Sequence, residues 1–386
     1  MLVERMRPFT STIFTEISRL AAETGAINLG QGFPDTDGPA SLLVDAAANI
    51  TEYGRNQYPP GPGVPALREA VAEHQRRFHG LTVDPADVVI TTGATEAISA
   101  TLLGLCGPGD EVVTFEPTYD SYAAATALAG ATLRTVPLRA PDFTFDDDEL
   151  AAAFSGRTKV VLVNTPHNPT GAVFTREQLL RIGELAVAHD AVIVTDEVYE
   201  HMTFDGAEHV PMASLPGLAD RTLTISSAGK TFSVTGWKVG WVHGPPHLVE
   251  APRAVKQFLT FHGGAPLQPA VANALALPDS FYETVTADLT RKRDLLSAGL
   301  RAAGFDVLTP RGTYFVVADP RPLGHDDGVE LAWKLPELCG VAAVPVSVFC
   351  SSESGAAATR PLVRFAFCKR DDVLREATER LAGLRA

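Results

Sequence analysis

The sequence predicts an α/β protein with a mostly parallel central sheet covered by helices and a second, smaller α+β domain. Three observations carry this prediction. Between residues 87 and 229, short β-rich runs alternate with helix-like stretches. The runs VVI, VVLV and AVIVT are apolar without alternation, as expected for strands buried on both faces of a sheet. Beyond about residue 280 the pattern changes to one long amphipathic stretch and short strand candidates, which indicates a second layer of a different kind.

The larger domain is predicted from five successive units, each a strand candidate followed by a turn with polar residues. In order they are VVITTGATEAISATLLGL, EVVTFEPTYDSYAAATALAG, KVVLVNTPHNPTG, AVIVTDEVYE and TLTISSAGK. In parallel sheets, ligands bind beyond the carboxyl ends of the strands. We therefore expect the unusual residues at these ends to converge on one site. They are Thr92, Gly93, Tyr119, Asn164, Asn168, Asp196, Ser227 and Lys230.

The smaller domain is predicted from the C-terminal part of the chain. FYETVTADLTRKRDLLSAGLRAAG has apolar residues at helical spacing and predicts a long amphipathic helix. GTYFVVADP and PLVRFAFC are strand candidates whose residues are expected to alternate between buried and exposed positions. The serine- and alanine-rich segment 351–360 is typical of a mobile loop.

Composition excludes several classes of partner. The 386-residue chain has 32 basic and 46 acidic side chains, and its net charge of −14 argues against binding to nucleic acid. No apolar run approaches the length of about 18 residues that a membrane span needs. Charged residues near the N-terminus do not fit a signal peptide, so we expect a cytoplasmic protein without a membrane partner. The four cysteines are scattered, and neither a metal site nor a disulfide framework is expected.

The stretch SSAGKTFSVTGWKVGW contains two lysines, Lys230 and Lys238, among glycines and hydroxyl side chains. A P-loop would need a glycine where the chain has Thr224. Ser227 and Lys230 have the S-x-x-K spacing of serine acylases, but the partner motifs S-D-N and K-T-G do not occur. Two solvated surface lysines would not explain the glycines and hydroxyls. A Schiff base between one lysine and an aldehyde cofactor, whose phosphate binds the other, accounts for both.

The pattern S-x-x-K-x-F-x-x-x-G-x-[KR]-x-G resembles the signature of fold-type I pyridoxal-phosphate aminotransferases. Other motifs of that family follow in its order: NLGQGFPD, NQYPPGPG, TTGATEAI, EPTYDSY, NTPHNPTG, TDEVYE and VRFAF. The resemblance covers nearly the whole chain. It implies an aspartate-aminotransferase-like fold and pyridoxal 5'-phosphate as the cofactor. We expect a large cofactor-binding domain of residues 42–280 and a small domain of residues 1–41 and 281–386.

The resemblance assigns the catalytic roles to Lys230, Asp196 and Tyr199. Lys230 would form the Schiff base and later move the proton between the substrate and the cofactor. Asp196 would pair with the ring nitrogen of the cofactor and keep it protonated. Tyr199 and Asn168 would hydrogen-bond the ring hydroxyl, and Tyr119 would stack on the ring face.

The phosphate of the cofactor is assigned to the start of a helix. Gly93, Ala94 and Thr95 open that helix, where backbone N–H groups and the helix dipole favour an anion. Ser227 would add a hydroxyl and Lys238 a charge. Many relatives have an arginine in place of this lysine, so the bidentate geometry of a guanidinium is lost here.

The substrate side of the site is assigned to Arg364, Gly32, Asn164, Asn168 and Phe14. Arg364 resembles the arginine that binds the α-carboxylate through two parallel hydrogen bonds. Gly32 would let the backbone approach the same carboxylate, although a simple turn before Phe-Pro also explains this glycine. Asn164 would lie nearby.

Three further residues are expected to reach the active site of a neighbouring subunit. Tyr58 resembles the tyrosine that contacts the phosphate across a dimer. Phe261 and His262 resemble residues that enter the partner's substrate pocket, and a structural role for His262 is the alternative. The resemblance therefore implies a homodimer with shared active sites. For His167 and His201 we expect no role as ligands.

The implied reaction moves an amino group from an L-amino acid to a 2-oxo acid by a ping-pong mechanism. The sequence most resembles the kynurenine/glutamine transaminases and, more closely, actinobacterial N-succinyldiaminopimelate aminotransferases. Phe14 and Thr95 stand where kynurenine-type relatives have Trp and Tyr, which favours a long polar substrate. The prediction is N-succinyl-LL-2,6-diaminopimelate with 2-oxoglutarate, and Arg55 and Lys256 are the candidate cations for a distal carboxylate. Kynurenine, glutamine or methionine transamination and cysteine-S-conjugate β-lyase activity are the alternatives.

Overall fold

The structure, a computed structural model, describes residues 2–385. In chain order its strands are β1 (Ile27–Asn28), β2 (Val88–Thr92), β3 (Glu111–Glu116), β4 (Thr132–Pro137), β5 (Thr158–Asn164), β6 (Val192–Asp196), β7 (Thr222–Ser227), β8 (Val239–His243), β9 (Asp306–Leu308), β10 (Phe315–Asp319), β11 (Val341–Ala342), β12 (Val344–Pro345) and β13 (Val363–Ala366). Its α-helices are α1 (Ile13–Thr24), α2 (Ala40–Thr51), α3 (Pro65–His79), α4 (Gly93–Leu105), α5 (Ser121–Ala129), α6 (Asp147–Ala153), α7 (Arg176–Ala188), α8 (Ala228–Thr231), α9 (Pro246–Leu259), α10 (Leu267–Leu275), α11 (Asp279–Ala303), α12 (Gly328–Cys339), α13 (Glu353–Thr359) and α14 (Asp371–Ala382).

The central sheet has seven strands in the order β2-β8-β7-β6-β5-β3-β4. The neighbours from β7 to β4 are all parallel, and β8 runs antiparallel to both β7 and β2. Helices cover both faces of this sheet. In β5, Val160 and Leu162 pack in one core with residues of α4, whereas Val161 and Val163 pack in another with residues of α7. The predicted mostly parallel, helix-covered sheet is confirmed.

The carboxyl ends of the parallel strands place polar residues along one edge of this sheet. β5 ends at Asn164, β6 at Asp196 and β7 at Ser227, and Asn164 and Asp196 are paired in register. Gly93 follows β2 directly and has a φ of 71°, a left-handed conformation that glycine adopts without steric cost. This turn brings the N-terminus of α4 to the same edge.

The smaller unit combines both ends of the chain. Its four-stranded antiparallel sheet has the order β12-β13-β10-β9, and β1 pairs in parallel with β11. The long helix α11 ends where Gly304 adopts a left-handed conformation, and it packs against α14. The limits of the two domains at residues 41 and 281 stay a prediction.

None of the helices in residues 2–385 has both the length and the apolar character that crossing a membrane requires.

The predicted in–out alternation of the two strand candidates in the smaller unit is wrong. Every residue of β10 and of β13 is buried. The reason is that both faces of β10 are covered. Val316 and Ala318 lie in the core under α11 and α14, while Val317 packs into the core of the large unit beside α7.

The prediction of a loop over residues 351–360 is also wrong, since this segment contains α13. The side chain of Ser352 caps the helix by accepting a hydrogen bond from the backbone N–H of Gly355. The buried carboxylate of Glu116, at the end of β3, accepts hydrogen bonds from the backbone N–H groups of Ser351 and Ser352 at 2.9 and 3.2 Å. These long-range contacts order a segment whose composition alone favours a loop.

Candidate active site

Two adjoining cavities lie at the carboxyl edge of the central sheet. The first has a volume of about 110 Å³ and is lined by Gly93, Ala94, Thr95, Tyr119, Asn164, Asn168, Asp196, Val198, Tyr199, Ser227, Gly229, Lys230, Thr235, Lys238 and Val239. The second has a volume of about 230 Å³ and is lined by Phe14, Gln31, Gly32, Phe33, Tyr119, Asn168, Tyr199, Lys230, Phe315 and Arg364. The residues predicted from the family resemblance to bind cofactor or substrate all line one of these cavities, apart from the three surface residues described below. Thr92 and the candidate cations Arg55 and Lys256 line neither.

Lys230 lies in the short helix α8, directly after β7, and lines both cavities. Its Nζ donates a hydrogen bond to the hydroxyl of Tyr314 at 2.9 Å. The Nζ also lies 5.8 Å from the centre of the Tyr199 ring. Burial lowers the pKa of Lys230 to about 8. The amine is therefore much closer to its neutral, nucleophilic form at neutral pH than an exposed lysine is.

Asp196 is buried at the end of β6 and lines the first cavity together with Lys230. Its Oδ2 accepts a hydrogen bond from the hydroxyl of Tyr122 at 2.7 Å, and its Oδ1 accepts one from the backbone N–H of Val198 at 3.4 Å. Burial raises the pKa of Asp196 to about 6. This carboxyl group has only neutral hydrogen-bond donors, so a cationic group in the cavity would stabilise its charged form.

The opposite end of the first cavity combines a helix N-terminus with a cation. Lys238 has a φ of 54°, and its Nζ lies 3.5 Å from the Oγ1 of Thr95. A Cβ added at Gly93 would lie 3.1 Å from this Nζ, and a Cβ added at Gly240 would lie 2.6 Å from the backbone of Gly93. The two glycines therefore allow β8 and the start of α4 to approach closely. The arrangement of backbone N–H groups and an amine suits an anion.

Arg364 is buried on β13 and faces the second cavity. Its Nη1 donates to Oδ1 of Asn168 and its Nη2 to the carbonyl of Gly30, both at 2.9 Å. Its Nε has no hydrogen-bond partner within residues 2–385. The guanidinium lies 4.0 Å from the centre of the Phe315 ring and 5.3 Å from that of Phe14. Burial lowers the pKa of Arg364 to about 10, so the group stays charged at neutral pH. The Nε of Arg364 leaves a donor for a carboxylate.

Asn164 holds the turn that carries the next site residue. Its Nδ2 donates to the carbonyl of Asp196, and its Oδ1 accepts from the backbone N–H of Asn168, both at 2.8 Å. These contacts place the side chain of Asn168 beside Arg364. The expected contact between Asn164 and a substrate stays a prediction.

Tyr58, Phe261 and His262 lie together at the surface and line neither cavity. The ring of Tyr58 is 4.7 Å from that of His262 and 5.7 Å from that of Phe261, measured between centroids. Tyr58 is 80% exposed, so its ring is available to another molecule. The expected role of these three residues across a dimer stays a prediction.

Two tyrosines next to the catalytic candidates were missed in the sequence. Tyr122 contacts Asp196 from 74 positions away, and Tyr314 contacts Lys230 from 84 positions away. Tyr122 is the last residue of the EPTYDSY motif and Tyr314 lies in the strand candidate GTYFVVADP, but neither has a local signal for its contact. Only the packing of distant elements brings their hydroxyls to the site.

Lys256 is not available to bind a distal carboxylate, and its prediction as a candidate is wrong. The side chain is buried, and its Nζ donates to the carbonyls of Gly61 and Phe261. These contacts hold the segments at Gly61 and Phe261 against α9. Arg55, the other candidate, is exposed.

A group of potential metal ligands lies outside the two cavities. One ligand atom each of His74, His79 and Glu200 falls within 4.8 Å of the others. These side chains are already paired: His79 with Glu200 at 2.7 Å, and His74 with His201 at 2.7 Å. His167 is buried and hydrogen-bonded to Thr170.

Comparison with known proteins gives a consistent result along the whole chain. The family model for aminotransferase class I and II matches residues 24–381. A Mycobacterium tuberculosis protein named as a probable N-succinyldiaminopimelate aminotransferase is 52% identical over 393 residues, which cover 100% of this chain and 98% of the relative. The methionine aminotransferase of Escherichia coli is 40% identical, with 97% of this chain and 96% of the relative covered.

Solved structures agree with these matches. The structure of N-succinyldiaminopimelate aminotransferase from M. tuberculosis superimposes with a TM-score of 0.96 at 51% identity, and 100% of both chains is covered. Aspartate aminotransferase from Thermus thermophilus superimposes with a TM-score of 0.91 at 33% identity, covering 100% of this chain and 99% of that one. The predicted aspartate-aminotransferase-like fold is confirmed.

Proposed function

The chain belongs to the class I and II aminotransferases, and we propose that it transfers the amino group of N-succinyl-LL-2,6-diaminopimelate to 2-oxoglutarate with pyridoxal 5'-phosphate as its cofactor. The observation that carries the choice of substrate is the 52% identity, over the whole chain, to a mycobacterial protein named for that substrate. The site described above supports the choice of cofactor.

The residues of the first cavity fit pyridoxal phosphate. Lys238 and the N-terminus of α4 would hold its phosphate, and the lack of a Cβ at Gly93 lets the Lys238 side chain lie against the start of this helix. Asp196, whose pKa burial raises to about 6, would gain a cationic partner in the protonated ring nitrogen. Lys230 would hold the aldehyde through Nζ. When bound, the cofactor supplies an electron-withdrawing ring that stabilises the charge left on the substrate Cα after proton loss.

Lys230 would then act as the base at the substrate Cα. Because burial lowers its pKa to about 8, about a tenth of the free amine is neutral at pH 7. At an ordinary lysine pKa that fraction would be roughly 0.03%. The Nζ can therefore accept a proton from Cα and later return a proton to the cofactor side.

Arg364 would bind the substrate α-carboxylate and orient the Cα–H bond. Its hydrogen-bond partners, the side chain of Asn168 and the carbonyl of Gly30, are neutral, and its Nε has no partner within residues 2–385. Two-point binding by the planar guanidinium restricts rotation of the substrate. The rings of Phe14 and Phe315 cover the guanidinium and would keep water from it.

We further propose a homodimer with shared active sites. Large apolar side chains are exposed along the end of α9 and the loop after α2, and Phe258 is 89% and Tyr58 80% exposed. An exposed apolar patch of this kind is typical of an interface. A second copy covering the patch would bring Tyr58, Phe261 and His262 near the partner's cavities.

In such a dimer, Arg55 is the cation we assign to the distal carboxylates of the substrate. Lys230, Lys238 and Arg364 are the cations lining the two cavities, and each has another role. Lys256 is occupied by backbone carbonyls. Arg55 is exposed and lies three residues before Tyr58, on the loop that the dimer would carry to the neighbouring site.

The variant Arg55→Gln is expected to raise KM for N-succinyldiaminopimelate by about 10-fold, because one charge-assisted hydrogen bond is lost. KM for methionine should stay within about twofold, since methionine has no distal carboxylate. The matched control is Arg7→Gln, another exposed arginine. Equal effects on both substrates would show that Arg55 does not recognise the distal group.

The substrate is tested by comparing kcat/KM for N-succinyldiaminopimelate, glutamine, kynurenine and methionine with 2-oxoglutarate as the acceptor. We expect N-succinyldiaminopimelate to be preferred by at least about 10-fold over each of the others. A preference for kynurenine would contradict the proposal. Methionine is the second candidate, because the rings of Phe14, Phe315 and Phe349 around Arg364 give the pocket apolar walls. Release of pyruvate and ammonia from a cysteine S-conjugate would reveal the β-lyase alternative.

A further inference from the structure

Tyr314 stands between the catalytic lysine and the loop at the substrate side of the site. It directly precedes β10, and its side chain is buried. The hydroxyl donates a hydrogen bond to the carbonyl of Gly32 at 2.6 Å and accepts one from Nζ of Lys230 at 2.9 Å. No other side chain in residues 2–385 forms a hydrogen bond with this Nζ.

The pattern of these hydrogen bonds determines the orientation of the amine. A tyrosine hydroxyl has one proton, and here the carbonyl of Gly32 accepts it. Towards Lys230 the hydroxyl therefore presents only a lone pair, so the amine must donate an N–H to it. A neutral amine held in this way keeps its own lone pair directed away from Tyr314. That lone pair is the one that a base needs for removing a proton.

The same contacts connect the amine to the substrate arginine. A Cβ at Gly32 would lie 2.3 Å from the ring of Phe315 and 3.3 Å from that of Tyr314, so the loop packs directly on both rings. Phe315 in turn lies against the guanidinium of Arg364, and Gly30 of the same loop accepts a hydrogen bond from it. Two successive residues thus pack on this loop: Tyr314 contacts the amine of Lys230, and Phe315 contacts the guanidinium of Arg364.

Tyr314 and Lys230 both line a third cavity, on the side of the amine away from the first two. This cavity has a volume of about 240 Å³, and its lining includes Lys230, Tyr314, Met202, Leu289 and Cys368. Without the hydroxyl, no hydrogen bond to another side chain of residues 2–385 would hold the amine toward the first two cavities. The flexible side chain of lysine has enough rotatable bonds to turn into such a space.

We propose that Tyr314 is a positioning residue that orients the amine of Lys230 for proton transfer and couples it to the loop beside Arg364. The proposal deepens the proposed function and rests on the role given there to Lys230. Tyr314 contacts Nζ of Lys230 but takes no proton itself in this scheme. It acts through the lysine.

The test compares Tyr314→Phe with Tyr282→Phe. Tyr282 is also buried, and its hydroxyl donates to the carbonyl of Leu275 at 3.1 Å, but it lines none of the three cavities that contain Lys230. The first measurement follows the rate at which cofactor-free protein combines with added pyridoxal phosphate as a function of pH. The wild-type rate should reach half its plateau near pH 8, where Lys230 titrates. In Tyr314→Phe this midpoint should fall by about one pH unit, because the charged amine loses a hydrogen-bond acceptor.

The second measurement is the steady-state reaction. Tyr314→Phe should lower kcat by about 10- to 100-fold with KM changed less than about twofold. Deuterium at the substrate Cα should slow the variant more than the wild type, because proton transfer becomes rate-limiting. Tyr282→Phe should leave the pH midpoint, kcat and the isotope effect unchanged.

An unchanged pH midpoint together with an unchanged kcat in a Tyr314→Phe protein that melts at the same temperature as Tyr282→Phe would overturn the proposal. Failure of the proposed function would look different. In that case the wild type would transfer no amino group from any of the four amino acids tested, while the pH midpoint would still report on the contact between Tyr314 and Lys230.

Discussion

Replacing Lys230 with alanine is expected to lower kcat by about 10⁴-fold or more, the upper range for loss of a positioned base. The variant should also lose the visible absorbance that we expect of the wild type with pyridoxal phosphate. Both effects follow from one atom, because Nζ would hold the cofactor and move the proton. Steady-state assays and an absorbance spectrum of the purified variant measure them together.

The control for this variant is Lys159→Ala, which removes an exposed lysine on the central sheet. It should keep full activity and colour. Adding a small primary amine should restore part of the activity of Lys230→Ala, since a free amine can enter the space left by the side chain. Turnover and colour close to those of the wild type in Lys230→Ala would disprove the assignment.

The variant Arg364→Lys is expected to reduce kcat/KM by about 10²-fold or more, the usual cost of truncating a buried charged hydrogen-bonding group. The charge is kept, but a lysine cannot contact Asn168, Gly30 and a substrate carboxylate at once, as the planar guanidinium can. Most of the loss should appear in KM for the amino acid and for the 2-oxo acid alike, because both have the same carboxylate.

Arg370→Lys is the matched control. Arg370 is about half exposed and pairs with Asp372 at the surface, so the change should leave kcat/KM within about twofold of the wild type. If Arg364→Lys kept the KM of the wild type for both substrates, the α-carboxylate would have to be bound elsewhere.

The order of motifs along the chain was enough to predict the fold and most of the polar residues that line the two cavities. Asn164, Asp196 and Ser227 each end a buried strand, and the carboxyl ends of parallel strands meet at one edge. Their convergence therefore follows from local patterns. The burial of β10 and the helix after Ser352 did not follow in this way, because both depend on residues more than 100 positions away, such as Glu116.

Lys256 illustrates the same limit at the level of a single side chain. The sequence offered it as a candidate cation for a distal carboxylate, whereas in the fold its amine donates to two backbone carbonyls. A charge that the sequence counts as available is satisfied by groups whose proximity only the folded chain creates.

The sequence by itself determined which chemical groups are present and at which strand ends they lie, because strand and helix patterns are local. The tertiary structure alone decided how those groups behave. Burial brings the pKa of Lys230 to about 8 and that of Asp196 to about 6, while Tyr314 and Tyr122 bind them from other parts of the chain. The physical reason is that desolvation and hydrogen-bond direction depend on everything that surrounds a group in space, and most of those neighbours are distant in sequence.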